Sequence, residues 1–412
     1  MMAHGRSDRA HTNEIRHRKP KLLFVVNVSW FFLSHRLPLA LEAKRRGFEV
    51  HVATAVASAE DRLRLEEAGL TVHPLEMSRS GENPFSEAGS FLQLFRLYGR
   101  LRPDLVHHVA MKAVLLGGLV ARMRRVPAVI AAFSGLGYMF TARGFGSALR
   151  RAILMPLLRL ALGGRTVAVF QNPDDARLLM KARAARPLRT VLIRGSGVDV
   201  EKYKAHPEPE GEVRVLLAAR MLRDKGVVEF VDAARRLRVR GVTATFLLAG
   251  DPDPGNPATL EEEALKRWNA EGHVVWLGHQ ADMPSIISSS HVVCLPSYRE
   301  GLPKILLEAA ACGRPIVATD VPGCREIVSH GVNGFLVPPR NVDALADALE
   351  LLIGDKALRA RFGLQGRLRA QHEFSLQRIV DETFDLYERL LQGRPIDSVE
   401  QRRLNFSGVE NK

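Results

Sequence analysis

Glu300 and Glu308 stand with seven residues between them in the stretch Ser297-Tyr298-Arg299-Glu300-Gly301-Leu302-Pro303-Lys304-Ile305-Leu306-Leu307-Glu308. Carboxylates accept hydrogen bonds from hydroxyl groups. Gly301 lets a ligand approach the backbone closely. Pro303 suits the first turn of a helix, where a missing N–H costs nothing. The start of that helix offers unpaired N–H groups and a partial positive charge, a site for phosphate. A phosphate framed by two carboxylates points to a ligand with hydroxyls on both sides of its phosphates, a nucleotide sugar. The plainer alternative makes Glu300 a helix-start charge and Glu308 an ordinary exposed helix residue.

Arg220 and Lys225 sit five residues apart on one loop after a strand. Two fixed cations there can clamp a diphosphate and stabilise it as it leaves. Surface salt-bridging is the alternative. His35 and Arg36, at a helix start, could meet a diphosphate or serve as a solvated cap. His108 ends a strand and Lys112 opens the next helix, and each reads as functional or structural. Asp251-Pro252-Asp253 has the spacing of a metal-binding Asp-x-Asp. Cys294, Cys312 and Cys324 form no Cys-x2-Cys pair and read as reduced thiols of a cytoplasmic protein.

The elements that must position these groups alternate. Lys21–Val26, Phe48–Thr54, Thr71–Leu75, Asp104–His108 and Val167–Asn172 read as strands, with helices between them. Asn27–Ser34, with Trp30, Phe31 and Phe32, reads as a loop, and His35–Arg46 as a helix. After the Pro-rich stretch 206–211 the alternation resumes with Val213–Ala218, Thr245–Gly250, Val274–Gly278, His291–Pro296 and Pro315–Thr319. Gly331–Val337 reads as a hairpin-like turn. This is doubly wound α/β, twice over. The expected division is a disordered extension over 1–19, a first domain over 20–205, a linker over 206–211 and a second domain over 212–375. A helix over 376–391 crosses back to the first domain, and a disordered tail covers 392–412.

With 412 residues, the chain is long enough for two cores. Hydrophobic content of 46% and charged content of 25% describe a globular protein, and no apolar run is long enough to span a membrane. The net charge of +14 is uneven. Residues 1–204 hold 33 Lys+Arg and 16 Asp+Glu, a net +17. That suits an anionic surface or substrate. No basic motif interleaved with aromatics supports nucleic acid. The segment Arg143–Arg165 carries five arginines and no acid among large apolar residues. Basic and apolar together describe an interfacial membrane helix, with Arg143, Phe145, Leu149, Arg150, Arg151, Ile153, Leu154 and Arg159 as the contacting residues. A core helix with a basic rim is the alternative.

The Glu-x7-Glu pair around Gly301-Leu302-Pro303, with the Arg220…Lys225-Gly226 loop, resembles the retaining glycosyltransferases of the GT-B fold, glycosyltransferase family 4. The likeness covers about residues 20 to 392 and reaches the subgroup that extends undecaprenyl-diphosphate-linked sugars in lipopolysaccharide, capsule and N-glycan assembly. It implies two Rossmann-like domains, with a UDP-sugar donor on the second and a lipid-diphosphate-linked saccharide on the first, meeting in a cleft. Glu308 would hold the ribose and Glu300 the transferred sugar. Arg220 and Lys225 would hold the diphosphate, with Gly250, Gly278, Gly301, Leu302, Pro303 and Ile305 lining the donor site. Arg79, Gly135 and Gly137 would face the acceptor, on the side where the helix start at His35 and Arg36 could meet its diphosphate, with His108 and Lys112 near the reacting sugar. The resemblance implies no required metal and no cofactor. The basic first half, the acid-free segment Arg143–Arg165 and the lack of a membrane-spanning run point to docking on the cytoplasmic face of an anionic membrane, where a lipid-linked acceptor resides. Rival functions are a sugar-nucleotide 2-epimerase of the same fold and a non-catalytic nucleotide-sugar-binding partner.

Overall fold

The computed structural model describes residues 18–77, 84–136 and 145–396. Packing divides the chain into two units. The first runs to Ile193 and takes up the chain again from Val380, and the second is Arg194–Ile379.

The first unit begins with β1 (Lys21–Val28), α1 (Ser29–His35), α2 (Leu37–Arg45), β2 (Glu49–Ala55), α3 (Ala59–Glu67), β3 (Thr71–Pro74) and α4 (Pro84–Leu101). It continues through β4 (Leu105–Val109), α5 (Met111–Met123), β5 (Ala128–Phe133), α6 (Phe145–Ala161), β6 (Thr166–Phe170), α7 (Pro173–Lys181) and β7 (Thr190–Leu192). The seven strands are parallel in the order β3-β2-β1-β4-β5-β6-β7. Order reverses between β1 and β4, the place where such sheets bind ligands at their carboxyl ends. The apolar runs are continuous because helices cover both faces.

The second unit holds β8 (Arg214–Ala218), α8 (Val227–Val239), β9 (Thr245–Ala249), α9 (Glu262–Ala270), β10 (Val275–Gly278), α10 (Met283–Ser288) and β11 (Val292–Leu295). Then come α11 (Lys304–Ala311), β12 (Ile316–Thr319), α12 (Cys324–Ile327), β13 (Gly334–Val337), α13 (Val342–Gly354), α14 (Lys356–Glu373) and α15 (Leu376–Leu391). Its sheet runs β10-β9-β8-β11-β12-β13, all parallel, with the switch between β8 and β11. Val215 and Leu217 join Phe230, Phe246 and Leu349 in the core on one face, while Leu216 joins Val293, Leu306 and Ala310 on the other. The period of two along each strand feeds both cores.

Four expectations change. Asn27–Ser34 is not a loop: Ser29–His35 is helical, because Phe32 buries its ring edge-on against Phe24 at 5.5 Å. Gly331–Val337 is not a hairpin, since β13 runs parallel to β12. Arg18 is not part of a loose extension: its guanidinium grips buried Asp104 at 2.7 and 2.9 Å. The Pro-rich stretch 206–211 is no free linker, because Glu208 takes both ends of the Arg359 fork at 2.7 and 2.8 Å and Arg314 bonds the carbonyls of His206 and Pro207.

Helix α15 starts in the second unit, where the Leu376 amide donates to the Val198 carbonyl at 2.8 Å, and from Val380 it belongs to the first. There Phe384 packs on Phe48, and the Tyr387 hydroxyl lies 2.6 Å from His107 Nδ1. Beyond it, the Arg394 amide donates to the Arg389 carbonyl at 2.8 Å, and residues 397–412 of the expected tail lie outside the described residues.

Candidate functional site

The loops that follow β8, β9, β10, β11 and β12 lie at one edge of the second unit's sheet, because all the strands run parallel. The loop after β8 carries Arg220 and then a short 3-10 turn, Arg223–Lys225, closed by Gly226 at φ +74°. A Cβ at Gly226 would lie 2.1 Å from the Pro296 carbonyl oxygen, so glycine lets this loop seat on the one after β11.

That seating brings Lys225 to Glu300. Their Nζ and Oε1 are 2.5 Å apart, with both side chains largely buried. Ser297 Oγ donates to the same carboxylate oxygen at 2.6 Å and lies 3.1 Å from the Asp224 carbonyl. The Tyr298 amide donates to that carbonyl too, at 2.9 Å. Thr319, from the end of β12, holds the Ser297 carbonyl in turn. Two loops and the end of β12 therefore fix one cation–carboxylate pair.

Arg220 lies on the same loop and pairs with Asp253, 2.5 Å away in the loop after β9. Asp253 is therefore an arginine partner, and no group of three or more His, Cys, Asp or Glu side chains with metal-binding geometry occurs among the described residues. Gly250 and Gly278 close the same edge together: the Gly250 amide donates to the Gly278 carbonyl at 2.7 Å, and Trp276 Nε1 donates to Gly250 at 2.9 Å.

Helix α11 starts at Lys304 with Pro303 at its N-cap, one residue later than its spacing implies. Its first turn has no acid and no side-chain cap. Gly301 and Pro303 are buried while Leu302 and Ile305 are half-buried. Glu308 is buried one turn in, 3.3 Å from Lys304 Nζ. The Tyr203 phenol faces it. Burial first, then the Glu308 carboxylate, raise that phenol's pKa. So Glu308 is not an ordinary exposed residue.

In the first unit the expected residues separate. His108 is fully buried, its Nε2 2.8 Å from the Tyr98 hydroxyl, and burial pulls its pKa down to about 3. It is a neutral core histidine, which corrects its expected place beside the reacting sugar. Lys112 is ion-paired to Glu87 at 2.6 Å. His35 stacks on Phe31 at 4.1 Å, while Arg36, next in the chain, is buried. Gly135 follows β5 at φ +117°. Arg79, Gly137 and Arg143, and the side chains of Phe145, Leu149, Arg150 and Arg151, lie outside the described residues. On α6, Ile153 is 58% exposed, Leu154 is half-buried and Arg159 donates to the Ala182 carbonyl at 2.8 Å.

Sequence reasoning missed Asp253, Ser297 and Tyr203 as partners of these groups. Asp253 had drawn notice only for its spacing from Asp251, and Ser297 stands at the head of the Glu300 stretch. Tyr203 carried no signal.

The chain matches the family model for glycosyl transferases group 1 over residues 199–369 and that for glycosyl transferase 4-like domains over residues 21–172. It is 30% identical over 385 residues to the N,N'-diacetylbacillosaminyl-diphospho-undecaprenol alpha-1,3-N-acetylgalactosaminyltransferase of Campylobacter jejuni, covering 88% of this chain and 98% of that protein. The chain belongs to the group 1 glycosyltransferases. This glycosyltransferase is also 25% identical to the UDP-Gal:alpha-D-GlcNAc-diphosphoundecaprenol alpha-1,3-galactosyltransferase of Escherichia coli, over 72% of this chain and 78% of that protein. The crystal structure of Anabaena HepE in complex with UDP and glucose superposes with a TM-score of 0.72 at 20% identity, over 90% of this chain and 99% of that one. That likeness shows the fold, which is GT-B.

Proposed function

We propose that this glycosyltransferase moves an N-acetylhexosamine or hexose from a UDP-sugar to a lipid-diphosphate-linked saccharide, with retention of anomeric configuration, in cell-surface polysaccharide or glycan assembly. The observation that carries this reading is the set of Lys225, Glu300 and Ser297 fixed at the carboxyl edge of the second unit, with Arg220 on the same loop. The acceptor class follows the relatives' names.

Arg220 and Lys225 take the donor diphosphate, which shares or displaces their present partners Asp253 and Glu300. Glu300, once shared, accepts from hydroxyls of the transferred sugar, and Glu308 from the ribose. Gly250, Gly278, Gly301, Leu302, Pro303 and Ile305 line the donor. The bond from the anomeric carbon to the diphosphate oxygen breaks, and the acceptor oxygen bonds to that carbon on the same face. The acceptor proton passes to the leaving diphosphate. The two cations stabilise the charge that develops there. With Asp253 engaged by Arg220, this reading needs no metal. Proton NMR of the product tests the stereochemistry. An α-linked UDP-sugar should give an α-glycoside, and a β product would overturn retention.

The acceptor's lipid brings the protein to the cytoplasmic face of an anionic membrane. Among the described residues no helix is long and apolar enough to cross one. Helix α6 exposes Ile153, Leu157 and Leu160 while burying Leu158 and Ala161. Helix α4 exposes Phe85 and Leu92, and α5 packs between the two. Apolar side chains of this kind, beside the surplus positive charge of the first half, suit interfacial insertion. In liposome co-sedimentation, Ile153→Asp/Leu157→Asp/Leu160→Asp should lose most binding to anionic vesicles while still glycosylating a water-soluble acceptor analogue. Unchanged binding by the folded variant would return α6 to a basic-rimmed core helix.

A further inference from the structure

Arg36 lies between α1 and α2, and its carbonyl accepts the first amide bond of α2, from Ala40 at 3.0 Å. Only 7% of the residue is exposed. Among the described residues its buried Nε has no hydrogen-bond partner, and no carboxylate lies within ion-pairing distance of it. Its charge acts on His107 and Tyr387, which are bonded to each other, and neither is an anion. His107 Nε2 is a second buried atom without a partner among the described residues. Helix α2 adds an N-terminus with no acid in its first turn and no side-chain cap. The cluster thus holds a permanent positive charge, since a guanidinium does not deprotonate.

Burying an uncompensated charge is strongly unfavourable, so such a group calls for a partner. A guanidinium fork fits the paired oxygens of a phosphoryl group. We propose that Arg36, with the N-terminus of α2, forms a diphosphate site in the first unit that receives the diphosphate of the lipid-linked acceptor. This rests on the reading of the chain as a transferase acting on such acceptors, and it places the acceptor's charge at one named side chain.

The test titrates the full chain by calorimetry with inorganic pyrophosphate and with a short-chain prenyl diphosphate. Both titrations use an Arg220→Gln/Lys225→Gln parent, which lacks the two cations proposed for the donor. Adding Arg36→Gln should weaken both ligands by about tenfold or more, the value of a charge-assisted bond. Arg45→Gln, on the exposed face of the same helix, should leave them unchanged. Tighter binding of the prenyl diphosphate assigns the site to the lipid-linked acceptor, and equal affinity would overturn that assignment in favour of free pyrophosphate. Arg36→Met should melt at or above the parent, because a buried charge without a partner destabilises the fold. A midpoint many degrees lower, or diphosphate binding indifferent to Arg36→Gln, would overturn the site. UDP binding to the single Arg36→Gln variant should match wild type. Failure of wild type to bind UDP would count against the donor reading alone.

Discussion

Lys225→Ala should lower kcat for sugar transfer about 100-fold. The ammonium is aimed by the turn Arg223–Lys225 and by its 2.5 Å contact with Glu300. Removing one preorganised stabiliser of developing charge typically costs ~3 kcal/mol of barrier. The loss should fall mainly on kcat, because the charge on the diphosphate grows as the sugar departs. Stability should drop as well, by about 1–3 kcal/mol, since among the described residues Ser297 is then the side-chain donor left to Glu300. Thermal melting separates the two effects. Turnover within about threefold of wild type would remove Lys225 from the diphosphate clamp.

Gly323→Ala should do nearly as much harm without touching a charged group. Gly323 sits at φ +75°, and a Cβ there would lie 2.5 Å from the Gly301 carbonyl oxygen and 2.9 Å from that of Glu300. Backbone cannot rotate away as a side chain can, so the loop bearing Glu300 must move. We expect about 3 kcal/mol of destabilisation, roughly 6–12 °C in thermal midpoint, and at least about tenfold less activity. Gly331→Ala is the matched control, with φ +76° and nothing within 4 Å of the added carbon. It carries the backbone strain alone, about 1 kcal/mol. Equal behaviour of the two variants would mean that the Glu300 loop does not depend on Gly323.

The loops around Arg220, Lys225 and Glu300 were readable because their residues are close in sequence and end strands that alternate with helices. What those side chains touch was not. Asp253 meets Arg220 from 33 positions away, and Asp104 meets Arg18 across 86. His108 shows the limit most clearly. Sequence places it at a strand end, but a strand end has two faces, and only the packed structure turns this ring towards Tyr98. There it needs Gly117, where a Cβ would lie 2.4 Å from His108 Nε2. Stretch 206–211 has the composition of a linker, yet Arg359, 151 positions beyond Glu208, binds it to the second unit. Trp30, Phe31 and Phe32 marked Asn27–Ser34 as unusual, but their spacing was too short to reveal the helix they form.

Transfer from a UDP-sugar to a lipid-diphosphate-linked saccharide is read out by mass spectrometry of the complete reaction. The protein is incubated with a panel of UDP-sugars, with and without a lipid-diphosphate-linked saccharide. One sugar residue should be added to the acceptor with stoichiometric release of UDP, and neither event should exceed about 1% of the wild-type rate in the Lys225→Ala variant. Conversion of a UDP-sugar to its epimer without an acceptor, or binding of UDP-sugars with no acceptor modified across the panel, would contradict it.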